Sequence, residues 1–412
     1  MRSRLWAQVL FAMGLGICVG LVLGPETGVV SESTARTLGA WFGIPGKLFL
    51  GLIAIVLVPL VFSSIVGGLA GGNSNEALRK IGLKLGAFII LTTTIASLIG
   101  VALAQLLRPG DGLDLPAAAP AQVPPSGMHS FDFKMLPDLL VGVLPTNAAA
   151  SVIEGDLLAV VILAILAGLA ATQVRTEQAR PFLALLDSLM SISMTVVKWA
   201  MMLTPLAVFG LMAQLMMQIG LGSIMGLLTY VSTVLLGLVL LFAIYIISLR
   251  VLGGHGLGTF LQAAGQNLLL AFSTSSSSAV MPTTIQAARR LGVPEPVANL
   301  VVPVGATMNM AGTALYQSVA ILFLAQMAGV DLHGAEVFLL VGTLVASSIG
   351  APGTPGVSIA ILASVATGFG IPAEGLVIIL GVDRLLDMCR TVVNVTGDLT
   401  AATLLRNAIK VD

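Results

Sequence analysis

Residues 347–356 read Ser347-Ser348-Ile349-Gly350-Ala351-Pro352-Gly353-Thr354-Pro355-Gly356, inside a long apolar region of the chain. Two prolines and three glycines in ten residues cannot continue a helix. The apolar segments on either side are each too short to span a bilayer, which takes about 20 apolar residues. An upstream stretch repeats this design: Ser273-Thr274-Ser275-Ser276-Ser277-Ser278 also lies between short apolar flanks. Backbone that leaves a helix at membrane depth must be buried in protein or line a cavity, because lipid cannot satisfy its polar groups. Both stretches are therefore read as tips of re-entrant helical hairpins, over 257–291 and 334–367. A serine-rich surface linker is the blander reading of the first, and its apolar flanks argue against it.

Composition agrees with a membrane setting. Of 412 residues, 57% are hydrophobic and 9% charged, with 19 basic and 19 acidic residues; mean hydropathy is +1.04. An ordinary soluble domain carries about 25% charged residues. A disordered chain has the opposite composition, and nucleic-acid binding wants a basic excess that is absent here. Cys18 and Cys389 both sit in apolar segments, so neither a disulfide framework nor a thiolate metal site is expected. The expected fold class is an all-α polytopic membrane protein.

Outward from the hairpins, spans are expected near 5–24, 45–71, 82–107, 136–173 (interrupted at Pro145-Thr146-Asn147), 182–213 and 220–249, with an external loop at 108–135. The first is read as a membrane helix and not a signal peptide, since its apolar run is long and no clean cleavage site follows. Arg2, Arg4, Arg79, Lys80, Lys84, Arg175, Arg180, Arg250, Arg289, Arg290, Arg406 and Lys410 fall on one side if both termini are cytoplasmic. That holds only if each hairpin enters and leaves on the same side.

After each hairpin comes a long helix bearing polar groups. In the seventh, Gly305-Ala306-Thr307-Met308-Asn309-Met310-Ala311-Gly312-Thr313 interrupts an apolar span. Unwinding there would free carbonyl oxygens, hard ligands suited to a hard cation; the alternative is a helix with small polar packing residues. In the eighth, Asp383, Asp387, Arg390, Asn394 and Asp398 fall within roughly 80° of arc, one polar face on an apolar helix. Each charge inside a membrane costs about 2.5–3.5 kcal/mol on insertion scales. An Arg390–Asp387 pair at i+3 would neutralise itself but leave Asp383 and Asp398 unexplained. In the functional reading Arg390 grips a substrate carboxylate through its bidentate fork, Asp387 takes an ammonium, Asn394 donates and accepts, and Asp398 holds a cation. An ammonium plus two carboxylates describes an acidic amino acid.

These residues carry a resemblance. The motifs SSSSAVMP, P-x-GATMNM-x-GTALYQ, ASSIGAPGTPG and LDMCRTVVNVTGDLT resemble those of the dicarboxylate/amino acid:cation symporters, which include glutamate transporters and archaeal aspartate transporters. The resemblance covers nearly the whole chain. It implies eight transmembrane helices plus the two hairpins, built as inverted repeats. It also implies an elevator-type homotrimer in the plasma (inner) membrane that is a transporter and not an enzyme. Residues 1–81 and 136–213 would form the scaffold. The third helix with the external loop (82–135) and residues 214–256 and 257–412 would form the mobile transport domain.

By motif, the resemblance assigns the substrate to Ser276, Ser277, Thr313, Thr354, Gly356, Asp387, Arg390, Thr391 and Asn394. One sodium would use Gly305, Asn309, Asn394 and Asp398, and a second Thr307, Met310, Ser348, Ile349 and Ala351. A third, at Thr92 and Thr93, looks degraded: Ala311 replaces an aspartate common in relatives, and Ile89 aligns with a tyrosine. Coupling to about two sodium ions instead of three is therefore expected, since a cation in such a cavity needs its anionic ligand. Relatives also carry a second arginine at the position of Ser275 or Met388, and neither is charged here. A C4-dicarboxylate symporter is the nearest alternative, although such relatives lack the aspartate found here at Asp387; proton coupling is another. An intramembrane serine protease would need a base, and no histidine lies in a span.

Overall fold

The structure is a computed structural model that describes residues 5–24, 29–70, 76–111, 157–219, 222–349, 357–372 and 375–407. The expected interruption at 145–147 and most of the loop at 108–135 lie outside the described residues, as do Ala351, Thr354 and Gly356.

Among the described residues there are helices and no strands. They are α1 (Leu5–Val22), α2 (Glu32–Phe42), α3 (Ile44–Ala70), α4 (Glu76–Leu107), α5 (Leu157–Gln173), α6 (Thr176–Ile219), α7 (Gly222–Val251), α8 (Leu257–Thr274), α9 (Met281–Arg290), α10 (Glu295–Met308), α11 (Ala311–Met327), α12 (Ala335–Ile349), α13 (Val357–Gly368) and α14 (Leu376–Leu404). Four stretches are long and apolar enough to cross a membrane: Ile81–Leu107, Thr176–Ala200, Gly226–Val251 and Glu295–Met327. The last runs through the short break between α10 and α11.

Most helices follow from apolar length. α2 does not: it is 11 residues and moderately polar. Ser31 starts it, its Oγ accepting from the Thr34 backbone N–H at 3.3 Å, the usual way a side chain satisfies an orphan donor at a helix start. The helix then packs on α6.

The helices pack in two sets. α1, α2, α3 and α5 gather on α6 or α3. α4 and α7 embrace α11, and α14 runs through the second set against α7, α8, α10 and α11. The sets meet where α14 touches α6, α13 touches α3 and α12 touches α5. Ile55, Ile90, Leu98, Ile192, Leu206 and Val239 point outward from the long helices. Apolar side chains facing out over so much of the surface need an apolar surrounding. Inside, α11 is buried along nearly its whole length. A polar site held by α11 and α14 is thus far from water.

Candidate functional site

The site forms where α10 stops and α11 begins. Asn309 (φ −92°, ψ 78°) and Met310 (φ −107°, ψ 39°) are not helical, so the two helices are separated by a two-residue break. Such a break leaves carbonyls at the end of α10 and N–H groups at the start of α11 without helical partners. Side chains from elsewhere in the chain supply some of them. Ser277 Oγ donates to the Ala306 carbonyl at 2.9 Å. Asn394 Oδ1, on α14, accepts from the Gly312 N–H at 2.8 Å. Asn394 Nδ2 lies 3.2 Å from Thr313 Oγ1 and 3.3 Å from Met310 Sδ.

Ser277 belongs to the turn joining α8 and α9. α8 ends at Thr274, and Ser275 takes a left-handed backbone (φ 51°, ψ 36°) with its N–H returning to the Ala271 carbonyl. A non-glycine residue there is uncommon. Ser273 and Thr274 turn their hydroxyls back on the Leu269 and Leu270 carbonyls. Ser275, Ser276 and Ser277 are buried, and Ser276 Oγ accepts from the Ala279 N–H. The middle of the serine run, Ser275 to Ser277, is packed inside the protein, whereas Ser273 and Thr274 are exposed.

Beside the break stands Asp398, 1% exposed. Asn309 Nδ2 donates to its Oδ1 at 2.9 Å. The carboxylate fits because positions 305 and 397 are glycine. A Cβ at Gly305 would stand 2.5 Å from Asp398 Oδ1, and one at Gly397 would stand 2.7 Å from Asn309 Nδ2. Gly305, Asn309 and Asp398 thus make one compact oxygen-rich cluster with a single full negative charge, a suitable environment for a hard monovalent cation.

About two to four turns earlier on α14 lies a buried ion cluster. Arg390 is fully buried. Its Nη2 sits 2.8 Å from Asp387 Oδ1, 3.2 Å from Asp383 Oδ1 and 3.1 Å from Ser358 Oγ on α13. Its guanidinium carbon lies 3.8 Å over the Tyr316 ring of α11, a cation–π contact strengthened by burial. Among the described residues, Arg390 Nε and Nη1 have no hydrogen-bond partner. Buried donors without partners are rare and call for an acceptor. An anionic group would supply one.

The structure therefore brings together Ser276, Ser277, Thr313, Asp387, Arg390 and Asn394 around the break and α14. Thr391 Oγ1 bonds back to the Asp387 carbonyl at 2.8 Å, which holds Asp387 from behind. Of the residues assigned to a second cation, Met310 is at the break, Thr307 Oγ1 bonds to the Pro303 and Val304 carbonyls, and Ser348 Oγ bonds to the Val345 carbonyl at the end of α12. Ile349 ends α12, its side chain outside the described residues. On α4, Thr92 Oγ1 bonds to the Phe88 carbonyl, and Thr93 Oγ1 is buried without a partner among the described residues.

The self-neutralising reading of α14 is also partly present, since the Arg390–Asp387 contact exists. It accounts for Asp383 too, which pairs with Arg390, but not for the two open donors of Arg390. Three side chains were not anticipated as site residues. Tyr316 was visible only as part of a motif. Ser358 lies just beyond the second tip and meets Arg390 only through tertiary packing; its carbonyl also accepts from Gln317 Nε2 at 3.1 Å. Arg384 is buried, and its Nη1 is 3.7 Å from Asp387 Oδ2. Its signal was an i,i+3 spacing to Asp387.

The sequence matches known proteins along nearly its whole length. A family model described as the sodium:dicarboxylate symporter family matches residues 5–408. The chain is similar to the proton/sodium-glutamate symport protein of Bacillus subtilis, 33% identical over 97% of this chain and 93% of the relative. It is equally similar to the proton/glutamate-aspartate symporter of Escherichia coli, 33% identical over 98% of this chain and 92% of the relative. A C4-dicarboxylate transport protein of Rhodospirillum rubrum is 32% identical over 96% of this chain and 86% of the relative.

Proposed function

The chain belongs to the sodium:dicarboxylate symporter family, and from that premise we propose that it takes up an acidic amino acid, aspartate or glutamate, together with sodium ions. The observation that carries this reading is Arg390: fully buried, with Nε and Nη1 open among the described residues, it keeps two donors at the centre of the protein for a ligand carboxylate. The substrate's side-chain carboxylate binds Arg390 and Thr313. Its α-carboxylate binds Ser276, Ser277 and Asn394, and its ammonium binds Asp387 beside Thr391. Thr354 and Gly356 close the second hairpin over it.

Coupling follows from the neighbouring carboxylate. A first sodium sits with Asp398 and the carbonyls of Gly305, Asn309 and Asn394. A second uses Thr307, Met310, Ser348, Ile349 and Ala351. Ala311 is fully buried and carries no charge, so Thr92 and Thr93 lack an anionic partner from position 311. The stoichiometry is about two sodium ions per substrate, because a desolvated cation without an anionic ligand is uncompensated.

In the same reading the protein crosses the plasma membrane eight times, with two re-entrant hairpins and both termini cytoplasmic. It works as a homotrimer in which the set of helices around α11 and α14 moves past the scaffold set. Uptake of labelled aspartate into proteoliposomes, with an inward sodium gradient, an inward proton gradient or neither, tests it. Sodium-driven accumulation supports it. Accumulation driven by protons alone, or of succinate with no aspartate, replaces it with the other couplings and substrates of the family.

A further inference from the structure

Arg384 has no place in the mechanism above, yet it is 9% exposed on a helix that passes through the centre of the protein. Its Nε and Nη1 have no hydrogen-bond partner among the described residues. Its neighbours at the junction of the two helix sets are Phe49 of α3, Thr204 of α6 and Ile359 of α13, around a cavity of about 20 Å³ that also touches Asp383 and Asp387. That is room for about one water. The only carboxylate within ion-pair distance of Arg384 among the described residues is Asp387, Nη1 to Oδ2 at 3.7 Å.

Asp387 is therefore held from both sides. Its Oδ1 takes Arg390 at 2.8 Å and its Oδ2 faces Arg384. When a substrate carboxylate draws on Arg390, that arginine's charge is shared with the ligand and with Asp383, 3.2 Å away. Asp387 then needs a cation, or it is left buried without adequate compensation, which is strongly unfavourable. An amino acid brings that cation as its ammonium. A C4-dicarboxylate brings none and adds one more negative charge than the aspartate ion does. Arg384 supplies that missing positive charge from the protein.

We propose that Arg384 stands in for the substrate's ammonium at Asp387, and so admits C4-dicarboxylates to the same site that takes acidic amino acids. It is a positioning residue: it acts through Asp387 and does not touch the substrate. This rests on the assignment of Asp387 and Arg390 to the substrate made above.

The test is competition in proteoliposomes under a sodium gradient, with unlabelled succinate displacing labelled aspartate, and direct uptake of labelled succinate as a second readout. The wild-type protein is expected to take both. In Arg384→Gln, succinate should weaken relative to aspartate by about tenfold or more, the scale of losing one partner of a desolvated charge pair, and Arg384→Lys should restore the ratio. A general loss of packing would lower both substrates together and would not be rescued selectively by lysine. If Arg384→Gln does not assemble, Arg384→Met decides: it keeps the length of the side chain and removes its charge, and succinate should again weaken relative to aspartate by about tenfold or more. Uptake of aspartate with no competition by succinate, or an unchanged ratio in Arg384→Gln, overturns the role of Arg384 and leaves the amino-acid reading intact. Uptake of neither substrate by the wild type overturns both.

Discussion

Asn309 donates to Asp398 across 2.9 Å, from the two-residue break between α10 and α11 to the last quarter of α14. That bond fixes a buried carboxylate beside freed backbone, and the glycines at 305 and 397 leave it room. Asp398→Asn keeps the shape and removes the charge. The sodium concentration for half-maximal aspartate uptake should rise by about tenfold or more, since a buried cation loses its only full counter-charge in the cluster. An unchanged sodium dependence would remove Asp398 from the coupling.

Gly305→Ala tests the same cluster sterically. The new Cβ would stand 2.5 Å from Asp398 Oδ1, so the carboxylate must move. Overpacking of this kind costs about 1–3 kcal/mol, and sodium affinity should fall with thermal stability. Gly82→Ala is the control, because nothing lies within 4 Å of its Cβ. There the helix should gain up to about 1 kcal/mol. Equal melting temperatures for the two variants would show that the approach of Asp398 to position 305 is not constrained.

How much of this could be read from residues alone is clearest on α14. Five polar positions repeating every three or four residues put Asp383, Asp387, Arg390, Asn394 and Asp398 on one face, and the structure places them on α10, α11 and α13. Arg384 falls about 40° beyond the edge of that stripe; the packing of α6 against α14, with Phe49 of α3 and Ile359 of α13 beside it, buries it. The hydroxyl of Ser358 and the ring of Tyr316 reach Arg390 through tertiary packing, which no periodicity encodes. α2 was missed for a different reason. At 11 residues it is too short for a search tuned to bilayer thickness, although Ser31 marked its start.

Arg390→Cys should lose aspartate by about a hundredfold or more, because truncating one partner of a buried charge pair costs about 2–5 kcal/mol and strands Asp383 and Asp387. Small neutral amino acids, which need no partner for a second carboxylate, should become the better substrates. Competition assays with aspartate, serine and cysteine give the order. Unchanged aspartate affinity would contradict the role of Arg390.

Ala311→Asp restores a carboxylate at the start of α11, next to the break. If coupling is limited by the missing anionic ligand, sodium moved per aspartate should increase from about two to about three. Reversal-potential titration in proteoliposomes counts the ions directly. A count of three in the wild type would show that Ala311 does not degrade the third site.

The most direct measurement is aspartate binding to the purified protein across a sodium series, at constant ionic strength. The expected result is an affinity that rises steeply with sodium, with a double-logarithmic slope of about two, since each coupled ion adds its own linkage to the substrate. An affinity independent of sodium would contradict the assignment of Asp398 and the broken helix to a coupled cation.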